Sequence, residues 1–218
     1  MAERRNARGQ AFLLVAALAV MAMLAWRNDR AVYADKGRLA VRVEDDAAVL
    51  TWIEGVDVPM ARRIDEAYQR LGGEVDAFVL ELHSPGGSVL EGRAVIGVLD
   101  RVRSTHDLIT VVGPGRECLS MCVPIFLSGE MRLAARDATF MFHEPTSRNV
   151  LTGARERRPA FEERRATEKF LRRYFEDSPM DPVWRERLAE DWKGEDVWKT
   201  GAELVEERAG VVTGLLGE

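Results

Sequence analysis

A single α/β domain with largely parallel strands is predicted by three features of the sequence. Its 218 residues suit one domain, with little room for a second. Apolar runs of strand length alternate with stretches of helical spacing. Proline and glycine clusters then stop the strand-like runs, as at Pro85-Gly86-Gly87 and Gly113-Pro114-Gly115. Hydrophobic residues make up 46% and charged residues 31%, a globular composition that excludes collagen-like or wholly disordered chains.

Each element follows from its local pattern. Ala48 to Ile53 reads as a strand, and Met60, Ile64, Ala67 and Leu71 recur at helical spacing. Val75 to Leu82 is a β-rich run, and Val89 to Val102 returns to helical periodicity. Leu108 to Val112 is a strand, Cys118 to Leu127 an apolar helix, and Ala138 to Phe142 a strand. From Arg155 to Asp177 the spacing predicts a long amphipathic helix, broken by Pro179 and Pro182. Val183 to Trp192 restarts a helix whose Trp184, Leu188 and Trp192 are four apart, a stripe for the core or a subunit interface.

Charge is distributed unevenly. The chain carries −5 overall, yet residues 1–34 hold five arginines against Glu3 and Asp29. Between the basic clusters, residues 11–26 are uninterruptedly apolar and as a helix would span roughly 24 Å. Trp26 suits a membrane interface, and Arg4, Arg5 and Arg8 should stay cytoplasmic. The expected organisation is a basic tail (1–10), a single-pass signal anchor (11–26), a linker (27–44) and a domain over 45–215. That domain would face away from the cytoplasm, in the periplasm of a Gram-negative cell or outside the cell. Cleavage as a signal peptide after Ala34 is the alternative. The acidic remainder offers no phosphate-binding excess, so nucleic acid is not an expected partner. No Gly-x-x-x-x-Gly-Lys loop is present, so no nucleotide is expected either.

Three motifs could carry chemistry. His83-Ser84-Pro85-Gly86-Gly87 ends a strand, where glycines let backbone amides approach a ligand, although the same residues make ordinary turns. Ser120 falls in the first turn of the expected helix, suited to a nucleophile whose attack creates an oxyanion, or to a simple N-cap. His143 leaves an apolar strand and is a general base only if it reaches that serine; otherwise it is a core histidine. Cys118 and Cys122 are too few for a disulfide scaffold or a zinc site, with His83 the only further ligand to suggest. A bridge within a regular helical turn would be strained, although an oxidising compartment would permit one; two small buried side chains are the first expectation.

In this order and at these spacings, Ser-Pro-Gly-Gly, Ser120-Met121 and Met141-Phe142-His143-Glu144-Pro145 resemble the Clp protease proteolytic-subunit family over about residues 45–215. The resemblance implies a Clp/crotonase-like spiral of ββα units and a serine peptidase. It implies Ser120 as nucleophile, His143 as base, the amides of Gly87 and Met121 as oxyanion donors, and Gly86 and Ser88 at the substrate. It nominates Asp196 as the triad acid, with Glu195 and Asp191 as competitors. No cofactor or metal is implied. Peptide substrates and a ring-like homo-oligomer built through the charged helix are. A catalytically inactive binding or scaffold protein and a crotonase-type acyl-CoA enzyme are the alternatives. A serine–lysine dyad is disfavoured, since no lysine lies between Lys36 and Lys169.

Overall fold

A computed structural model describes residues 39–144, 159–192 and 195–217. Six strands form the main sheet in the order β1 (Leu39–Glu44), β2 (Ala47–Trp52), β3 (Ala77–Leu82), β4 (Asp107–Val112), β6 (Met131–Ala134) and β9 (Gly214–Leu215). Only the β1–β2 pair is antiparallel. A second sheet joins β5 (Glu117–Leu119), β7 (Thr139–Phe142) and β8 (Val197–Thr200). The helices are α1 (Met60–Leu71), α2 (Val89–Arg103), α3 (Cys122–Phe126), α4 (Ala160–Leu171), α5 (Pro182–Asp191) and α6 (Gly201–Glu206), and a π-helical turn over Arg172–Glu176 follows α4.

The central strands read as continuous apolar runs because helices cover them. In β3, Ala77 to Leu80 are all buried, as a parallel strand covered on both faces requires. The expected spacing places α1 correctly: Met60, Ile64, Ala67 and Leu71 are all buried, each large one contributing about 1.5–3 kcal/mol. Glu91 ties α1 to α2, its buried carboxylate accepting from the Ala61 amide at 2.8 Å.

Three expectations change. Residues 39–44, assigned to the linker, form β1, which turns back on β2 through Asp45 (φ 50°). The long amphipathic helix begins at Ala160 among the described residues and ends in the π-helical turn before Pro179. The apolar run from Cys118 is not one helix but a strand, a tight turn and the five-residue α3. Among the described residues no helix is long and apolar enough to cross a membrane. The anchor expected over residues 11–26 lies outside them.

The stripe on α5 is core. Trp184, Leu188 and Trp192 are buried, and Trp184 packs edge-on against Phe142 while Trp192 meets Phe170 and Phe175. Behind the second sheet, Glu207 accepts from the Trp184 indole at 2.7 Å and pairs with the Lys199 ammonium. Partial burial pushes this carboxyl's pKa up, but the bonds from Lys199 and Trp184 outweigh it and hold it below the ordinary range.

Thr200 starts α6 with a reciprocal capping box, accepting from the Glu203 amide at 3.2 Å while the Glu203 carboxylate accepts from the Thr200 amide at 2.6 Å. Those bonds, from the Thr200 backbone first and its hydroxyl second, lower the Glu203 pKa. A lowered carboxyl pKa stabilises the fold above its unfolded value and loses that contribution as pH falls through the folded one. Thr200→Ala should cost about 1 kcal/mol near neutrality by removing the hydroxyl cap; the backbone bond to Glu203 stays, so only the part owed to the hydroxyl–carboxylate bond should shrink in acid. Urea unfolding at two pH values checks this.

Candidate active site

The second sheet assembles the site, with β7 at its centre. Parallel pairing of β5 with β7 sets Leu119 against Met141, so the chain leaves β5 at Ser120 beside the end of β7. The Ser120 amide donates to the Met141 carbonyl at 2.8 Å, continuing the ladder one step. Side chains alternate along β7. Phe142 is buried against Trp184 and Phe175, which leaves His143 on the opposite face. There His143 Nε2 and Ser120 Oγ are 2.6 Å apart, both residues partly exposed. This is hydrogen-bond reach for a base and the hydroxyl proton it would take.

Ser120 is not in the first turn of a helix, as the sequence suggested. It occupies the turn before α3, with φ of +54°. A strand, a left-handed serine and a helix present the hydroxyl outward, as the glycine-flanked elbow of α/β-hydrolases does, here without the glycines. Cys118 on β5 and Cys122 at the start of α3 are disulfide-bonded, so the expectation of two unbridged side chains is corrected. The strain argument does not apply, because the two residues do not share a helical turn. The bridge also removes both thiolates as zinc ligands, and His83 Nδ1 accepts from the Glu117 amide at 3.1 Å.

The Ser-Pro-Gly-Gly loop closes over this turn. Ser84 is wholly buried and joins β3 to β5, donating its amide to Glu117 and accepting from Leu119 at its carbonyl. Gly86, at φ +84°, lies so close to Ser120 that a Cβ there would be 2.6 Å from Ser120 Cβ and 3.1 Å from Met121 N. The amides of Gly87 and Met121 donate to no protein acceptor among the described residues. Two amides on facing segments beside the serine are what an oxyanion needs. Ser88, expected at the substrate, caps α2 by accepting from the Glu91 amide at 3.2 Å.

For Asp196, the nominated acid, only register speaks. Antiparallel pairing ends with Phe142 against Val197, and the same register carried one step further would set His143 opposite Asp196. Asp196 is exposed, and among the described residues no hydrogen bond joins it to His143. Glu195 and Asp191 are also exposed and unbonded to the imidazole. Glu91, the disulfide and the bracing role of Ser84 are supports that sequence reasoning missed. The cysteine spacing and the Ser-Pro-Gly-Gly motif marked the places, and nothing in the sequence marked Glu91.

The Clp protease family profile matches residues 69–193, which contain Ser120, His143 and the Ser-Pro-Gly-Gly loop. The chain belongs to the Clp protease family. Its fold agrees with that of a family structure: a ClpP1 point mutant from Listeria monocytogenes superposes with a TM-score of 0.58 at 16% identity, over 78% of this chain and 91% of that one. An α/β Clp protease-like fold is thereby shown. No curated protein matches the chain by sequence. Among Clp proteases as a group of peptidases, the serine–histidine contact is the feature of this chain that bears on chemistry.

Proposed function

We propose that this Clp protease family member is a serine peptidase working through an acyl-enzyme, held at the cytoplasmic membrane by residues 11–26 with its domain outside the cytoplasm. The 2.6 Å contact between Ser120 Oγ and His143 Nε2 carries the reading. His143 takes the hydroxyl proton as Ser120 attacks a peptide carbonyl, and the Gly87 and Met121 amides receive the oxyanion. The imidazolium then protonates the leaving amine, and water releases the acyl group by the same base. Asp196 is the proposed orienting acid, on the strength of its register opposite His143.

The location is supported by the basic-flanked apolar run and by a disulfide, a bond that persists in oxidising compartments. Substrates are then short or loosely folded peptides, reached without a nucleotide-driven partner. Homo-oligomerisation through the charged α4 is part of the proposal. A second reading, an inactive binding protein of the same fold, draws on the lack of a bond between Asp196 and His143 in the described residues. Labelling of the full-length chain in detergent by a fluorophosphonate separates the two. The peptidase labels, and Ser120→Ala does not. A folded chain that never labels would sink the peptidase and leave the binding protein.

A further inference from the structure

The Cys118–Cys122 disulfide closes a covalent ring around Leu119, Ser120 and Met121. Inside that small ring lie the nucleophile and one of the two amides assigned to the oxyanion. We infer that the disulfide is a positioning element for catalysis: it holds the turn in which Ser120 meets His143 and Met121 N–H stays aimed at the substrate. The inference rests on the peptidase reading.

The need for a brace follows from the backbone. A non-glycine residue in the left-handed region costs roughly 1–2 kcal/mol and persists only where its surroundings over-determine it. Ser120 is such a residue, at φ +54°. Its own backbone is held by two hydrogen bonds, from its amide to Met141 and from Val123 to its carbonyl. The helix that follows is only five residues long and offers little rigidity of its own.

The bridge pins both ends of the turn. Cys118 pairs with Phe140 in β7 and bridges to Ser84 at the end of β3, while Cys122 opens α3. Both cysteines are fully buried, on the core side of the turn, and Ser120 is partly exposed on the other. The bridge ties the two ends of the turn together, with their Cα atoms 5.2 Å apart. Without it, Ser120 is free to leave the left-handed region for the ordinary helical one. Relaxation in that direction would carry Oγ away from Nε2 and turn the Met121 amide off its line. The peptidase would accordingly be competent when oxidised and quiet when reduced.

The test compares the full-length chain in detergent, oxidised and after dithiol treatment, with Cys118→Ala/Cys122→Ala. Reduction transfers two electrons and two protons from the dithiol, which leaves as its own disulfide, and alkylation with mass spectrometry counts the thiols released. Fluorophosphonate labelling should slow roughly tenfold to a hundredfold on reduction and in the double variant, and reoxidation should restore it in the natural chain only. The second readout needs no activity. The chain has three histidines, so ring-nitrogen resonances of His143 can be assigned by substitution. On reduction they should move toward those of Ser120→Ala, because the Ser120 hydroxyl has left Nε2. A folded double variant that labels at the natural rate, with His143 resonances unmoved, overturns the brace. An oxidised chain that does not label defeats the peptidase reading instead, and the His143 resonances then decide the brace by themselves.

Discussion

His143→Ala is expected to slow peptide hydrolysis by about 10²–10⁴-fold while leaving the fold intact. A neutral serine hydroxyl is a weak nucleophile, and among the described residues His143 is the group bonded to it. Removing the imidazole removes both the acceptor of the hydroxyl proton and the donor to the leaving amine. The fold should tolerate the change, since His143 is partly exposed at the end of β7 and the buried anchor there is its neighbour Phe142. Hydrolysis of a fluorescein-labelled unfolded protein, with thermal melting alongside, measures both. Ser120→Ala/His143→Ala should be no slower than either single variant, because the two residues act as a unit. A His143→Ala chain that hydrolyses at the natural rate would defeat the mechanism. The same assay ranks the acids: Asp196→Asn should reduce the rate by about 10²-fold or more, and Glu195→Gln and Asp191→Asn should leave it unchanged. Loss confined to one of the other two would move the orienting role to that residue.

Much of this site was legible in the sequence because its parts sit at strand ends, which proline and glycine mark. Ser84 to Gly87 and the end of β7 were found this way, and apolar periodicity found α1, α2 and α5. What escaped was short or long-range. The strand β5 has three residues and β8 four, too few to show a period of two, and Cys118 to Leu127 reads equally as helix. The break at Ser120 has no glycine, and its one local mark is Pro124, which fits only the first turn of a helix; hydrogen bonds to β7 and a disulfide enforce the turn. The hairpin that recruits β1 turns on Asp45-Asp46, which lacks the glycine of common hairpin turns. Asp196 was nominated by resemblance, but its place opposite His143 is a matter of register, which pattern alone does not fix.

Gly86→Ala should damage stability and labelling together. Gly86 is at φ +84°, where an alanine costs roughly 1–2 kcal/mol before any contact is considered. Its Cβ would then lie 2.6 Å from the Leu119 carbonyl oxygen and 2.6 Å from Ser120 Cβ. Neither obstacle is the far end of a flexible side chain. Leu119 is held in β5 by the Ser84 carbonyl, and Ser120 is enclosed by the disulfide ring. The loop itself must therefore lift, carrying the Gly87 amide away from the Met121 amide and opening the proposed oxyanion site. The expected result is a loss of roughly 2–4 kcal/mol of stability and of about 10²-fold in fluorophosphonate labelling. Gly97→Ala is the control, because no atom lies within 4 Å of its Cβ and it sits on the exposed face of α2. It should stabilise the chain by about 0.5–1 kcal/mol and label normally. Urea unfolding and labelling of the three chains side by side would test the argument. If Gly86→Ala labelled as fast as Gly97→Ala, the packing of the Ser-Pro-Gly-Gly loop against Ser120 would not be what holds the oxyanion donors in place.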